Sequence, residues 1–243
     1  MGYGLRWCTR LLFLEESDYA TGHTPCMQLS EIYSTHHAEK NRYSTSVLEE
    51  ERAEWFIKHT PQGKSWLDLG CRDGKLTSRL MPHTASLVGV DVDPVAIQQA
   101  RERIPQAKFQ ELNLLGDWKE LAGQTFDVII CSEVMEHVYF PERVAERVRD
   151  HLKPGGIFVG SVPNAFFVKH RLRYLFGSKA HTPLQDPTHI TQFHAEHLTN
   201  VLKIVGDEVV IDGYTRPPFA GLAHACPRLF AFNFLFSVKK ALS

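Results

Sequence analysis

Short apolar runs and amphipathic segments alternate along most of the chain. Leu29 to about His59 has a helical pattern, with Val47, Leu48, Ala53, Trp55 and Phe56 set among charges, and Pro61-Gln62-Gly63 ends it. Ser65–Gly70 then reads as an apolar strand closed by glycine, and Gly74–Met81 as a helix stopping before Pro82. Ser86–Asp91 is a second strand. Val95–Arg103 is an amphipathic helix with Pro94 in its first turn. Ala107–Leu112 and Phe126–Cys131 are further strands, the latter apolar enough to be covered on both faces. Pro141–Leu152 places Val144, Val148 and Leu152 on one helical stripe. Pro154-Gly155-Gly156 reads as a turn before a fifth strand at Ile157–Val162.

Strands separated by helices of this length predict parallel pairing through right-handed crossovers, an α/β sheet with helices on both faces. The rhythm breaks at residues 163–190, rich in His, Pro, Arg and aromatics, which read as a cap inserted over one end of the sheet. Ala195–Val205 is helical again. Val209–Tyr214 and Phe232–Val238 are the last two strands, an antiparallel hairpin at the sheet edge. The first 26 residues show no clear periodicity, and residues 1–28 read as an N-terminal tail; residues 29–243 read as one domain with the cap insertion.

Composition narrows the function classes. With 27 Lys plus Arg against 28 Asp plus Glu in 243 residues, the net charge is −1, which argues against a nucleic-acid coat. No apolar stretch approaches a membrane span. The five cysteines are scattered without a C-x-x-C pair, which points to a reducing, cytoplasmic setting and against a disulfide framework or all-cysteine zinc site. Cys71 and Cys131 border apolar strands and read as core residues.

The chemistry concentrates at strand ends. Asp68-Leu69-Gly70-Cys71-Arg72-Asp73-Gly74 runs from a strand into a helix, where open α/β sheets bind ligands. The dinucleotide fingerprint would need glycine at Arg72 and Lys75, and no P-loop G-K-[ST] occurs. Asp91 closes the second strand 21 residues after Gly70, where a carboxylate can accept both hydroxyls of a ribose.

Four blocks stand in order: L-D-L-G-C-R-D-G, V-G-V-D-V-D-P, F-D-V-I-I-C-S-E-V-M-E-H-V and L-K-P-G-G-I-F-V-G-S-V-P-N. Together they resemble the class I S-adenosylmethionine-dependent methyltransferases. The segment D-P-T-H-I-T-Q-F-H-A-E-H-L at 186–198 resembles the small-molecule branch of that family. The resemblance implies a Rossmann-like, mostly parallel seven-stranded sheet with a C-terminal antiparallel edge. It also implies S-adenosylmethionine as cofactor and methyl transfer to an oxygen, or secondarily a nitrogen, of a small molecule or glycan precursor. Carried over, Gly70, Cys71 and Gly74 would form the loop under the methionine part, with Asp68 near its ammonium. Asp91 would hold the ribose, Val92 would lie against the adenine, and Asn113 would accept from the adenine amino group in place of the usual acid. Cys131, Ser132 and Glu133 would line the path to the acceptor. Arg72 stands where the family has glycine, so it should avoid positive φ or carry a strain cost.

A hydroxyl acceptor gains from a base, and His137 and His189 are the candidates. Their alternatives are structural: His137 capping or packing its loop, His189 bonding a carbonyl. Glu133-x-x-Glu136-His137 with a distal His also resembles the metal site of small-RNA 2′-O-methyltransferases and of some quinone O-methyltransferases; the expectation adopted is a base without metal. A cofactor-binding pseudoenzyme is the non-catalytic alternative. Phe166–Phe176 reads as a lid helix packing Leu172, Leu175 and Phe176 on the core. Lys169, His170, Arg171 and Arg173 there could meet an anionic substrate or a membrane surface.

Overall fold

The computed structural model describes residues 49–215 and 219–242. The tail at 1–28 and the start of the first helical segment lie outside the described residues. The sheet has seven strands: β1 (Lys64–Leu69), β2 (Thr84–Asp91), β3 (Lys108–Glu111), β4 (Phe126–Ser132), β5 (Leu152–Pro163), β6 (Glu208–Tyr214) and β7 (Asn233–Lys239). Their order is β3-β2-β1-β4-β5-β7-β6. Pairing is parallel from β3 to β5 and antiparallel at β5–β7 and β7–β6.

The two-residue period of each strand divides the core. In β1, Leu67 and Leu69 face one side while Trp66 faces the other; in β4, Ile129 and Cys131 oppose Val128 and Ile130. The first face is covered by α4 (Pro141–His151) through Val144, Ala145 and Val148, and by α6 (Ala195–Leu202) through Leu198, Val201 and Leu202. The second is covered by Ala53, Trp55 and Phe56 of α1 (Glu49–His59) and Leu80 of α2 (Lys75–Leu80). Helix α3 (Pro94–Arg103) packs Ile97 and Ala100 on Phe109. Asp93 caps it by accepting from Val95 N at 2.9 Å.

Three expectations change in detail. The turn at 154–156 lies inside β5, where the pairing with β4 shifts register and Gly155 takes φ 72°. The last two strands pair antiparallel, and β7 sits inside, between β5 and the edge strand β6. Their connection is no tight turn: it carries α7 (Ala220–Ala225) and α8 (Pro227–Phe230). Residues 163–190 hold α5 (Val168–Leu175) and a short 3₁₀ turn at Pro183–Gln185.

At Gly160 β5 passes close to its neighbours: a Cβ there would overlap the Cys131 carbonyl oxygen and the Phe236 ring. Gly160→Ala is expected to destabilise the fold by about 1–3 kcal/mol. Gly221→Ala, in open space within α7, should be neutral or slightly stabilising. Denaturant titration of the two variants checks the contrast.

Candidate active site

Strand order reverses between β1 and β4, and the loops diverging there open a cleft of about 1030 Å³. The loop after β1 forms its floor. Gly70 N and Cys71 N both donate to the Val90 carbonyl, at 2.8 and 3.0 Å, which ties the loop across the end of β2. Gly70 has φ 70°, and a Cβ would overlap the Val134 side chain, so both conformation and space require glycine. Of the two alternatives for Arg72, the strain cost is the one that holds: it takes φ 49°. The strain is offset by its N–H, which donates to Asp91 Oδ2 at 2.9 Å, and by its guanidinium, 3.3 Å from Asp73 Oδ1.

Asp91 is buried at the end of β2. Its Oδ1 accepts from Asp93 N at 2.9 Å, so two backbone donors fix the carboxylate. A carboxylate offers about four acceptor sites, enough to take two hydroxyls as well. Asp68 is buried one strand away and accepts from Thr77 Oγ1 at 2.6 Å. Burial pushes its pKa up to about 7; the Thr77 hydrogen bond opposes this and the Asp91 charge adds to it. Val92, Leu112, Asn113, Leu114 and Leu115 line the next part of the cleft. Asn113 Oδ1 accepts from Leu115 N at 3.0 Å, so its amide oxygen also shapes its own turn.

The wall beyond β4 is polar. Glu133, at φ 57°, turns its carboxylate to Asn233 Nδ2 (2.8 Å to each oxygen) and to Ser161 Oγ (2.7 Å), with Arg52 of α1 at 3.9 Å. Ser161 Oγ also lies 3.1 Å from Ser132 Oγ. A 3₁₀ turn at Met135–His137 follows. His137 Nδ1 is 2.9 Å from the Thr188 carbonyl, which only accepts, so Nδ1 carries a proton and, in the neutral ring, Nε2 is the basic nitrogen. That Nε2 stands 4.0 Å from Glu136 Oε1, and the His189 ring lies edge-on to His137 at 4.9 Å. Thr191 clamps this arrangement, donating its N–H to Glu136 O at 2.9 Å and its hydroxyl to Val138 O at 2.7 Å.

Glu136, His137 and His189 offer ligand atoms all within 4.8 Å of one another. Glu136 Oε2 is buried without a hydrogen-bond partner among the described residues. Burial first, then the Glu133 charge, drives the Glu136 carboxyl well above the usual carboxylate range. One carboxylate and two imidazoles suit a divalent transition ion. Glu133 belongs to a different network, so the E-x-x-E-H run divides between two tasks.

The cleft thus gathers Asp68, Gly70, Cys71, Asp91, Val92, Asn113, Ser132, Glu133, His137 and His189. Gly74 and Cys131 are not among its lining residues: Gly74, at φ 75°, packs against Ala100, and Cys131 is fully buried in the core. Burial drives the Cys71 and Cys131 thiols upward, away from nucleophilic use. The lid-helix packing expected at Phe166–Phe176 is corrected, since α5 turns His170 and Tyr174 inward and leaves Leu172, Leu175 and Phe176 exposed. Of the four polar residues considered there, His170 lines the cleft; Lys169, Arg171 and Arg173 are not among the lining residues. His170 is buried with Nδ1 3.1 Å from the Asn164 carbonyl, and burial lowers its pKa. Arg52 and Asn233 were not anticipated. Each sits about a hundred residues or less from Glu133 in an unrelated element, and only the folded sheet brings them together.

Comparisons with known proteins agree with this geometry. Residues 37–210 match the family described as Methyltransferase domain. A probable S-adenosylmethionine-dependent methyltransferase of Mycolicibacterium smegmatis is 28% identical over 63% of this chain and 55% of its own length. A ubiquinone biosynthesis O-methyltransferase of Coxiella burnetii is 30% identical over 60% of this chain and 68% of its own. The chain therefore matches little more than half the length of the first relative. Among solved structures, a SAM-dependent methyltransferase from Archaeoglobus fulgidus covers 84% of this chain and 99% of itself, with TM-score 0.62 and 16% identity, a likeness of fold. With a family match spanning most of its length and a Rossmann-like sheet of the corresponding order, the chain belongs to the class I S-adenosylmethionine-dependent methyltransferases.

Proposed function

We propose that the chain transfers a methyl group from S-adenosylmethionine to a hydroxyl oxygen of a small molecule or glycan precursor, with nitrogen as the second acceptor class. The observation that carries this reading is the His137 imidazole, oriented by the contact of its Nδ1 with the Thr188 carbonyl on the lining of the cleft that the glycine loop floors. The O-methyltransferase name of the Coxiella relative supports an oxygen acceptor.

The fit to the cofactor rests on the cleft itself. Asp91 would take the ribose hydroxyls, Asp68 would face the ammonium, and Val92 with Leu112–Leu115 would border the adenine. Gly70 removes the Cβ that would stand between the loop and Val134. When bound, the cofactor supplies an already activated methyl group on a sulfonium. The chain's part is to orient the acceptor and take its proton: His137 Nε2 accepts it, and His189 beside it is the alternative base. Residues 163–190 would cover the acceptor side through His170, His181, Thr182 and Pro183.

The triad of Glu136, His137 and His189 favours a second reading, in which a divalent cation is held there and polarises the acceptor oxygen. The unpartnered, buried Glu136 Oε2 is the feature that fits it.

Asp91→Ala should remove a charge-assisted contact and weaken cofactor binding by roughly 1.5–3 kcal/mol, about ten- to a hundredfold in Kd. Calorimetry giving a Kd within twofold of the unmodified protein would refute the ribose assignment. Asp68 gives a pH test. Its folded pKa of about 7 lies above its ordinary value of 3.8, so the folded state holds this proton more tightly than the unfolded chain. The unliganded protein should therefore lose stability as pH rises from about 4 to 7, and Asp68→Asn should flatten that part of a Tm profile. A slope unchanged by the substitution counts against a buried, protonated Asp68. For the base, chelator should leave the rate unchanged while His137→Ala or His189→Ala lowers it by roughly 10²-fold. Activity lost in chelator and restored by Mg²⁺, Mn²⁺ or Zn²⁺ would establish the second reading instead.

A further inference from the structure

Helix α5 is amphipathic in an unusual sense: both faces carry apolar or aromatic groups. His170 and Tyr174 point inward. Tyr174 donates its hydroxyl to the Ala165 carbonyl at 3.1 Å, and the His170 ring packs by Phe167 and Phe232. The opposite stripe, at Val168, Leu172, Leu175 and Phe176, follows i, i+4, i+7 and i+8. Leu175 is 77% exposed and Phe176 82%. Side chains this exposed project from the surface rather than line a groove. Gly177, at φ 69°, ends the helix with its N–H on the Tyr174 carbonyl at 2.9 Å, which fixes Phe176 at the tip.

Charge is equally one-sided. Residues 163–185 contain Lys169, Arg171, Arg173 and Lys179 and no Asp or Glu, in a chain whose net charge is −1. The segment leads straight into the cleft, since His181, Thr182 and Pro183 line it, and exposed Tyr139 and Ile190 stand on the same lining.

We propose that α5 docks the protein on an anionic lipid bilayer, with Leu172, Leu175 and Phe176 in the acyl–headgroup boundary and the flanking cations among the headgroups, so that the cleft opens at the membrane surface. A projecting apolar stripe bordered by Lys and Arg is what an interfacial helix requires. Long cationic side chains can lay their stems along it and reach phosphates. A fluid interface accepts projecting side chains without a shaped partner groove. Among the described residues no helix is long and apolar enough to cross a membrane, so the association is peripheral.

The test is sedimentation of the full chain with phosphatidylcholine vesicles, with and without phosphatidylglycerol. Binding should require phosphatidylglycerol and weaken at high salt. Leu175→Ser/Phe176→Ser should reduce the partition coefficient at least about tenfold, and Lys169→Gln/Lys179→Gln by a comparable factor. Cofactor affinity, read by calorimetry, should be unchanged in both, because none of these residues lines the cleft. Absence of binding, equal binding to uncharged vesicles, or binding that the Leu175/Phe176 variant leaves intact would overturn the proposal. The last result would move the contact to another segment, residues 1–48 included. A dimer seen by sedimentation velocity and dissolved by that variant would also overturn it, by showing a second copy of the chain as the occupant.

Discussion

The backbone N–H groups of Gly70 and Cys71 converge on one acceptor, the Val90 carbonyl, and the geometry of the cleft follows from that pair. The chain leaving β1 must turn across the end of β2, which brings Arg72 N onto Asp91 and stacks the loop under the strand reversal. Turning that sharply requires left-handed backbone at residues 70, 72 and 74. Glycine meets the requirement at no steric cost in two of the three. At the third, Arg72 accepts the strain because the same twist supplies the carboxylate with a donor.

Four of the carboxyl groups that line this cleft, Asp68, Asp91, Glu133 and Glu136, are each accommodated differently. Asp91 accepts from two backbone N–H groups, those of Arg72 and Asp93. Asp68, with one hydroxyl donor and a charged neighbour, meets burial by holding its proton near neutral pH. Glu133 is surrounded by Asn233, Ser161 and Arg52. Glu136 has the least compensation, and this imbalance is what makes the cluster with His137 and His189 chemically significant. A group in that position gains from anything positive that enters the cleft, whether an imidazolium or a cation.

The sheet was legible because each buried strand announces itself by a short apolar run, and the β1–β2, β2–β3 and β4–β5 crossovers each by a helical stripe. Boundaries agreed within a residue or two for most elements described, as with Pro141–His151. What periodicity could not show was the interior of β5, where Pro154-Gly155-Gly156 interrupts pairing without ending the strand. Nor could it choose between the two apolar faces of α5: Leu172 and Leu175 and the pair His170 and Tyr174 are both helix-spaced, and the inward choice was made by hydrogen bonds to Asn164 and Ala165. At the site, residues beside a strand end, such as Asp91 and His137, were readable from local motifs. Arg52 and Asn233 were not, because their relation to Glu133 exists only through the register of β7 on β5 and the seating of α1.

Helix α1 gives those long-range contacts a common purpose. Its Glu49 meets Arg79 at 3.2 Å and Lys75 at 3.8 Å on α2, directly after the glycine loop. Its Glu51 accepts from Tyr214 and its Trp55 donates to Asp212, both on β6 at the far edge of the sheet. Between them Arg52 reaches Glu133 on the acceptor wall. One short helix therefore spans the loop that would hold the methyl donor and the wall that would receive the acceptor, while Ala53 and Phe56 anchor it in the core. The buried apolar anchor holds the helix, and the polar contacts, made partly by buried Glu49 and Arg52, set its register. A shift of α1 would be felt at Glu133 and at the helix that follows the glycine loop together, because one element contacts both.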